Sequence, residues 1–281
     1  MLCDGWIFDA YPVFEGMRVW AILADGRRVS FVDAWRAPFI VEGTSWARAR
    51  PLLAEVRAPL SIAPQEGTDL YCEIRRPGWE VRVPPPLHGA LVKKLKRAGV
   101  LLYNADFHPV QHYHYERGHF PLAFGTFEFG AGRLNRFFLQ DDPWSTDYSI
   151  PPLRFLHLAL AGSEFSGAVD PNHASRGGLV LQHEGITHVL EGDPALQLES
   201  LERRLEEWDP DVLTTDWGDS YLVPHLLTWA QRAGRPLQLS RDLERGVGRN
   251  GSRPLLQTGT APSGGRPSYK RGRPLAEAEA I

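Results

Sequence analysis

The sequence predicts an α/β chain: a β-rich α+β unit at the N-terminus, followed by an α/β sandwich. Residues 5–42 are apolar runs rich in Val, Ile, Phe and Trp, broken by Gly and Asp-Gly turns. Residues 153–234 read in the order strand, hairpin, helix, strand, helix. The composition, 43% hydrophobic and 23% charged over 281 residues, supplies enough apolar material for one or two cores.

The elements follow in chain order. "GWIFDAYPVFEG", "MRVWAILADGRRVSFVD" and "APFIVEG" are strands, with Asp25-Gly26 as a two-residue hairpin turn. Residues 45–57, "SWARARPLLAEVR", form a short helix with Ser45 as N-cap and Pro51 as an interruption. "TDLYCEIRR" and "EVRVPP" are strands. "LHGALVKKLKRAG" is a helix stopped by Gly99, and "VLLYNADF" is a strand. After the polar stretch 139–152, "LRFLHLALAG" is a buried strand, and "GGLVLQHEG" with "ITHVLEG" makes a hairpin. "PALQLESLERRLEEWDPD" is an amphipathic helix with Leu198, Leu201, Leu205 and Trp208 on one face. "DVLTTDWG" is a strand and "DSYLVPHLLTWAQRAG" a helix ended by Gly234.

From 244 onward Gly, Pro, Arg and Ser dominate without an apolar period, so residues 244–281 are expected to be a disordered tail. Arg249, Arg253, Arg266, Lys270, Arg271 and Arg273 occupy 249–273 with no acid among them, a candidate phosphate-binding arm. The expected organisation is therefore 1–138, a connector at 139–152, a second domain at 153–243, and the tail.

A net charge of −3 gives no global pull towards nucleic acid, so such binding would have to come from local patches. Two cysteines, Cys3 and Cys72, are too few for a disulfide framework and suit a reduced compartment. No apolar run approaches the roughly 18 residues needed to span a membrane. The N-terminus carries acids where a signal peptide would be positive, so the expectation is a cytoplasmic protein. Phosphate-loop, dinucleotide, Cys-x-x-Cys and nucleophile-elbow motifs are absent.

The stretch "FHPVQHYHYERGH", residues 107–119, holds His108, His112, His114 and His119 and invites a metal reading. His108 and His112 have i, i+4 spacing, but Pro109 between them argues against a helical turn. A structural or surface role is the preferred reading.

Two segments together resemble family B DNA polymerases. "GVLLYNADFHPVQHYHYERGHFPLA" is similar to the end of that family's N-terminal domain. Tyr103, Asn104, Asp106, Gln111, Tyr113, Glu116, Gly118, Phe120 and Pro121 carry the pattern. "EWDPDVLTTDWGDSYLVPHLLTWAQRAG" resembles the second motif of the family's 3′-5′ exonuclease, and the opening strands are also similar. The resemblance covers roughly residues 5–241. It implies an N-terminal domain followed by an RNase H-like exonuclease-type domain, with DNA as partner.

The same resemblance exposes missing chemistry. The family's exonuclease holds two metal ions, which need several converging carboxylates. The positions matching its first Asp-x-Glu pair are Ala159 and Ala161. In the second motif Leu222 stands where an aspartate is usual and Trp217 where an asparagine is usual, and the third motif is not found. Glu164, Asp216 and Asp219 are the residual acids nearby, and their simpler reading is as caps or surface acids.

The expectation is thus a module without catalysis of its own and without a cofactor, involved in DNA replication or repair at the nucleoid. Its partners would be DNA and a separate polypeptide carrying palm, fingers and thumb. The alternatives are a Mg²⁺-dependent exonuclease with a rearranged site, or a remnant of a disrupted polymerase gene.

Overall fold

The structure, a computed structural model, describes residues 1–68, 74–160, 178–215, 218, 222–242 and 275–277. The chain divides into two compact units, Met1–Pro151 and Pro152–Ile281.

The first unit is built on β1 (Leu2–Val13), β2 (Gly16–Leu23), β3 (Arg28–Asp33), β4 (Ala37–Glu42), α1 (Trp46–Ala54), β5 (Ser61–Thr68) and β6 (Arg75–Val83). It continues with α2 (His88–Arg97), β7 (Leu102–Tyr103), α3 (Pro109–Arg117), β8 (Phe124–Gly130) and β9 (Arg133–Leu139). A closed barrel runs in the order β1-β2-β3-β9-β8. Its closure joins distant segments: Leu2 lies opposite Glu128, and Val32 opposite Arg133. Register shifts at Ile7/Asp9 and Glu128/Phe129 supply the irregularity that lets so few strands curl shut.

Beside the barrel lies a four-stranded sheet in the order β5-β6-β4-β7. Ala49 and Leu53 of α1 and Leu91, Val92 and Leu95 of α2 share one core with Met17, Val19, Phe31, Phe39 and Phe127. The period-2 strands and 3.6-period helices thus meet as the pattern of apolar residues requires.

Several local expectations are corrected. The β2–β3 connection has four residues, Ala24–Arg27, with Gly26 at φ 89 and its N–H bonded to the Leu23 carbonyl. Ser45 caps nothing with its hydroxyl, which accepts instead from the Leu101 N–H at 3.1 Å. A short 3₁₀ turn, Gly43–Ser45, precedes α1 and is capped by the Glu42 carboxylate. The helix runs through Pro51, held by burial of Ala49 and Leu53. The strand expected over "VLLYNADF" shrinks to Leu102–Tyr103 because Asn104 turns to φ 55. The strand β5, "SIAPQEGT", has no apolar period and is exposed along most of its length. Residues 69–73 of "TDLYCEIRR" lie outside the described residues.

The 139–151 stretch belongs to the first unit. Asp141 accepts from the Phe124 N–H at 2.6 Å, Trp6 donates to the Ser149 carbonyl at 3.0 Å, and Tyr148 packs edge-on against Phe120.

The second unit comprises β10 (Phe155–Leu160), β11 (Leu179–His183), β12 (Ile186–Leu190), α4 (Pro194–Trp208), β13 (Val212–Thr215), α5 (Val223–Arg232) and β14 (Leu275–Glu277). Its sheet runs β12-β11-β10-β13-β14. The hairpin strands pair antiparallel, whereas β10, β13 and β14 run parallel. This mixed sheet fits the α/β class expected of the second domain. Leu198, Leu201 and Leu205 of α4 and Leu226 and Ala230 of α5 cover one face. The tail expected to be structureless contributes β14; its basic residues lie outside the described set. No helix among the described residues is long and apolar enough to cross a membrane.

Candidate functional site

Strand β10 sits between an antiparallel and a parallel neighbour, so every side chain on it faces one side of the sheet or the other. Leu156, Leu158 and Leu160 join the leucine-rich core under the helices. His157 and Ala159 take the opposite face, where the His157 ring meets the Thr214 hydroxyl at 3.1 Å. Ala159 is 1% exposed. Leu222, at the start of α5, is also 1% exposed and belongs to the leucine core. At both positions the side chain is apolar and closed to solvent. Ala161, Glu164, Asp216, Trp217 and Asp219 lie outside the described residues, as do Arg249, Arg253, Arg266, Lys270, Arg271 and Arg273. Among the described residues no group of three or more His, Cys, Asp or Glu is arranged to hold a metal ion.

The Asp-Pro-Asp of the second segment has structural work. Asp209 closes α4 in the left-handed region at φ 42, and its carboxylate accepts from the Arg241 guanidinium at 2.5 Å. Asp211, fully buried, pairs with Arg241 at 2.8 Å and accepts from the Arg154 N–H at 2.9 Å. These acids tie the ends of β10, α4 and the 235–242 segment together.

In the first unit, the expectation that Pro109 breaks a turn is corrected. Pro109 is the first residue of α3, where its missing N–H costs nothing, and the His108 ring accepts from the Val110 N–H as the cap. Gly118 ends the helix at φ 68. Of the residues matching the family's pattern, Tyr113 and Glu116 fasten this helix, together with Arg117 outside the pattern. Buried Tyr113 donates to the Asp33 carboxylate at 3.1 Å, and Arg117 grips the same carboxylate through two bonds of 2.7 and 2.9 Å. Glu116 accepts from Trp35 Nε1 and from Arg82, each at 2.6 Å. Burial alone would raise the Glu116 carboxyl, but Arg82 and Trp35 bring it below its ordinary value. Burial raises the Tyr113 phenol well above its usual range. Asp33, Trp35 and Arg82 carry no motif of their own, so their role is invisible until strands β3 and β6 are brought to α3.

The four histidines separate. His108 caps, and His112 lies edge-on to Trp35 and near Phe107. His114 and His119 face one another through their Nδ1 atoms at 2.8 Å, enclosed by Tyr113 and Phe137. Burial lowers His114 to about 4, and burial with the neighbouring His114 lowers His119 to about 3. Both rings are neutral near pH 7, one donating and one accepting.

The closed barrel of the first unit and the mixed five-stranded sheet of the second have the fold of the N-terminal region of family B DNA polymerases. A solved structure with this fold is that of the family B DNA polymerase from the hyperthermophilic archaeon Pyrobaculum calidifontis. It superposes with a TM-score of 0.64 at 22% sequence identity over 85% of this chain and 33% of that one. The chain thus spans about a third of the length of that polymerase, and at this identity the likeness is one of fold. No protein-family model matches the chain, and no curated protein matches it.

Proposed function

We propose that the chain acts as a non-catalytic N-terminal and exonuclease-like module of a family B DNA polymerase. It would hold DNA in replication or repair, alongside a separate polypeptide carrying palm, fingers and thumb. The observation that carries this reading is the pairing of a polymerase-type fold with solvent-closed Ala159 and Leu222 where carboxylates are expected. Mg²⁺ or Mn²⁺ in such a site needs oxygen ligands, and neither residue offers one. DNA affinity falls to the basic tail, whose six cations can neutralise about six phosphates and give a log-log salt slope of roughly −5 at most.

Two measurements on the purified chain test the reading. Single-stranded DNA should release no nucleotides with Mg²⁺ or Mn²⁺, and deleting residues 244–281 should flatten the salt dependence of DNA binding. Metal-dependent release abolished by Asp219→Ala would replace the proposal with a rearranged exonuclease. An unchanged salt slope would make the tail a solvated extension.

A further inference from the structure

Strand β12 ends the sheet of the second unit: among the described residues it pairs with β11 and with no other strand. The two-residue loop Glu184-Gly185, at φ 49 and 78, makes a tight hairpin turn and sets His183 opposite Ile186. The residues flanking such a turn are a hydrogen-bonded pair, and these pairs alternate along an antiparallel ladder. Ile186, His188 and Leu190 therefore direct their main-chain groups at β11, whereas Thr187 and Val189 turn theirs to the open edge.

Proteins blunt such an edge with Lys, Pro or a bulge. In the first unit the edge strand β5 carries Pro64. β12 reads Ile-Thr-His-Val-Leu, with no Lys, no Pro and no register shift against β11. Apolar side chains also stand open on both of its faces. Ile186, on the face that carries the leucine core, is 60% exposed, and Val189, on the face of Val180, is 55% exposed.

The strand's own sequence says what fits it. Laid antiparallel on itself about His188, β12 sets Thr187 opposite Val189 and Ile186 opposite Leu190. Each pair matches in shape: Thr and Val are both β-branched, and Ile and Leu are isomers. The two edge-facing residues fall opposite one another, so each Thr187–Val189 pair exchanges both main-chain bonds. A slip of one residue would oppose an edge-facing residue to one that faces inward. Glu191, the first acid beyond the strand, falls opposite Gly185, which has no side chain to repel it. His188 meets its own copy on the axis, and its ring already lies against Trp208 with centroids 5.1 Å apart.

We infer that β12 is a self-association edge, where a second copy of this chain adds its own β12 antiparallel and continues the sheet across a two-fold axis. The pairing is short, which sets it among weak, exchanging dimers.

Sedimentation equilibrium of the full chain tests the edge. Reversible monomer–dimer association is expected between about 1 and 100 μM. The double variant Thr187→Lys, Val189→Lys sets like charges opposite each other in both pairs, at positions that are exposed in the single copy. It should melt like the parent and weaken association by roughly tenfold or more. Thr187→Glu, Val189→Glu should do the same alone, whereas an equal mixture of the Lys and Glu variants should associate like the parent. A chain that stays monomeric over the whole range overturns the proposal and leaves the edge to a strand of another protein. Undiminished association of the folded Lys variant, or a Lys–Glu mixture that fails to pair, overturns it as well.

Discussion

Replacing His119 with Asn tests whether the buried imidazole pair makes the first unit sensitive to acid. In the folded chain burial holds His119 near 3 and His114 near 4, whereas the unfolded chain protonates both near the ordinary value. The unfolded state therefore binds more protons between those values, and stability must fall as pH drops through that window. With an unfolded pKa of about 6.5, each ring contributes a loss of roughly 2 kcal/mol between about pH 7 and 5. Asn places an amide where Nδ1 of His119 sits, so the bond to His114 can persist while the titrating group is gone. The facing groups are otherwise Tyr113, Phe137 and the Arg117 charge, none of which changes protonation in this range. Urea melts at the two pH values, for parent and variant, read the effect. The variant should lose about 2 kcal/mol less on acidification, or about 1 M in midpoint at a typical urea slope of about 2 kcal/mol per molar. The comparison cancels His88 and His112, which also titrate below their ordinary values. Identical pH dependence in parent and variant would refute the neutral buried pair.

Two further outcomes follow from the packing. Ala159→Asp should destabilise the second unit by about 2–4 kcal/mol, because the carboxylate enters a closed position and must neutralise or stay unpaired; an unchanged denaturation midpoint would mean the position is open to water. Glu116→Ala should cost about 2–4 kcal/mol by leaving Trp35 Nε1 and the Arg82 guanidinium without their shared acceptor, and thermal melts with Trp35→Phe in the same background should show strong non-additivity.

What the sequence disclosed was local. The 3.6-residue period of α4 survives into the structure because it buries one stripe. Strand β5 escaped notice because an edge strand with Pro64 and little burial has no apolar alternation to read. Pro109 was misleading for a different reason: the same residue ends a helix from inside and opens one at its first position, and only the cap at His108 decides. In the candidate site, Ala159 and Leu222 were legible as departures from a motif, but their closure from solvent was not. Asp33 meeting Arg117, or Trp35 meeting Glu116, depends on pairings some 80 residues apart. No window of sequence contains both partners.

The manner in which the barrel closes also governs when the protein can fold. Strand β1 finds one neighbour at once in β2, but the other, β8, begins only at Phe124. Closure further needs β9, which ends at Leu139. At roughly 5–20 residues per second, the ribosome takes about 6–25 s to deliver those partners. Throughout that interval one edge of β1 remains unpaired on the nascent chain, with its apolar face only partly covered. The folding of this unit is thus timed by its last strands, and the high separation of its contacts makes closure slow even once they arrive.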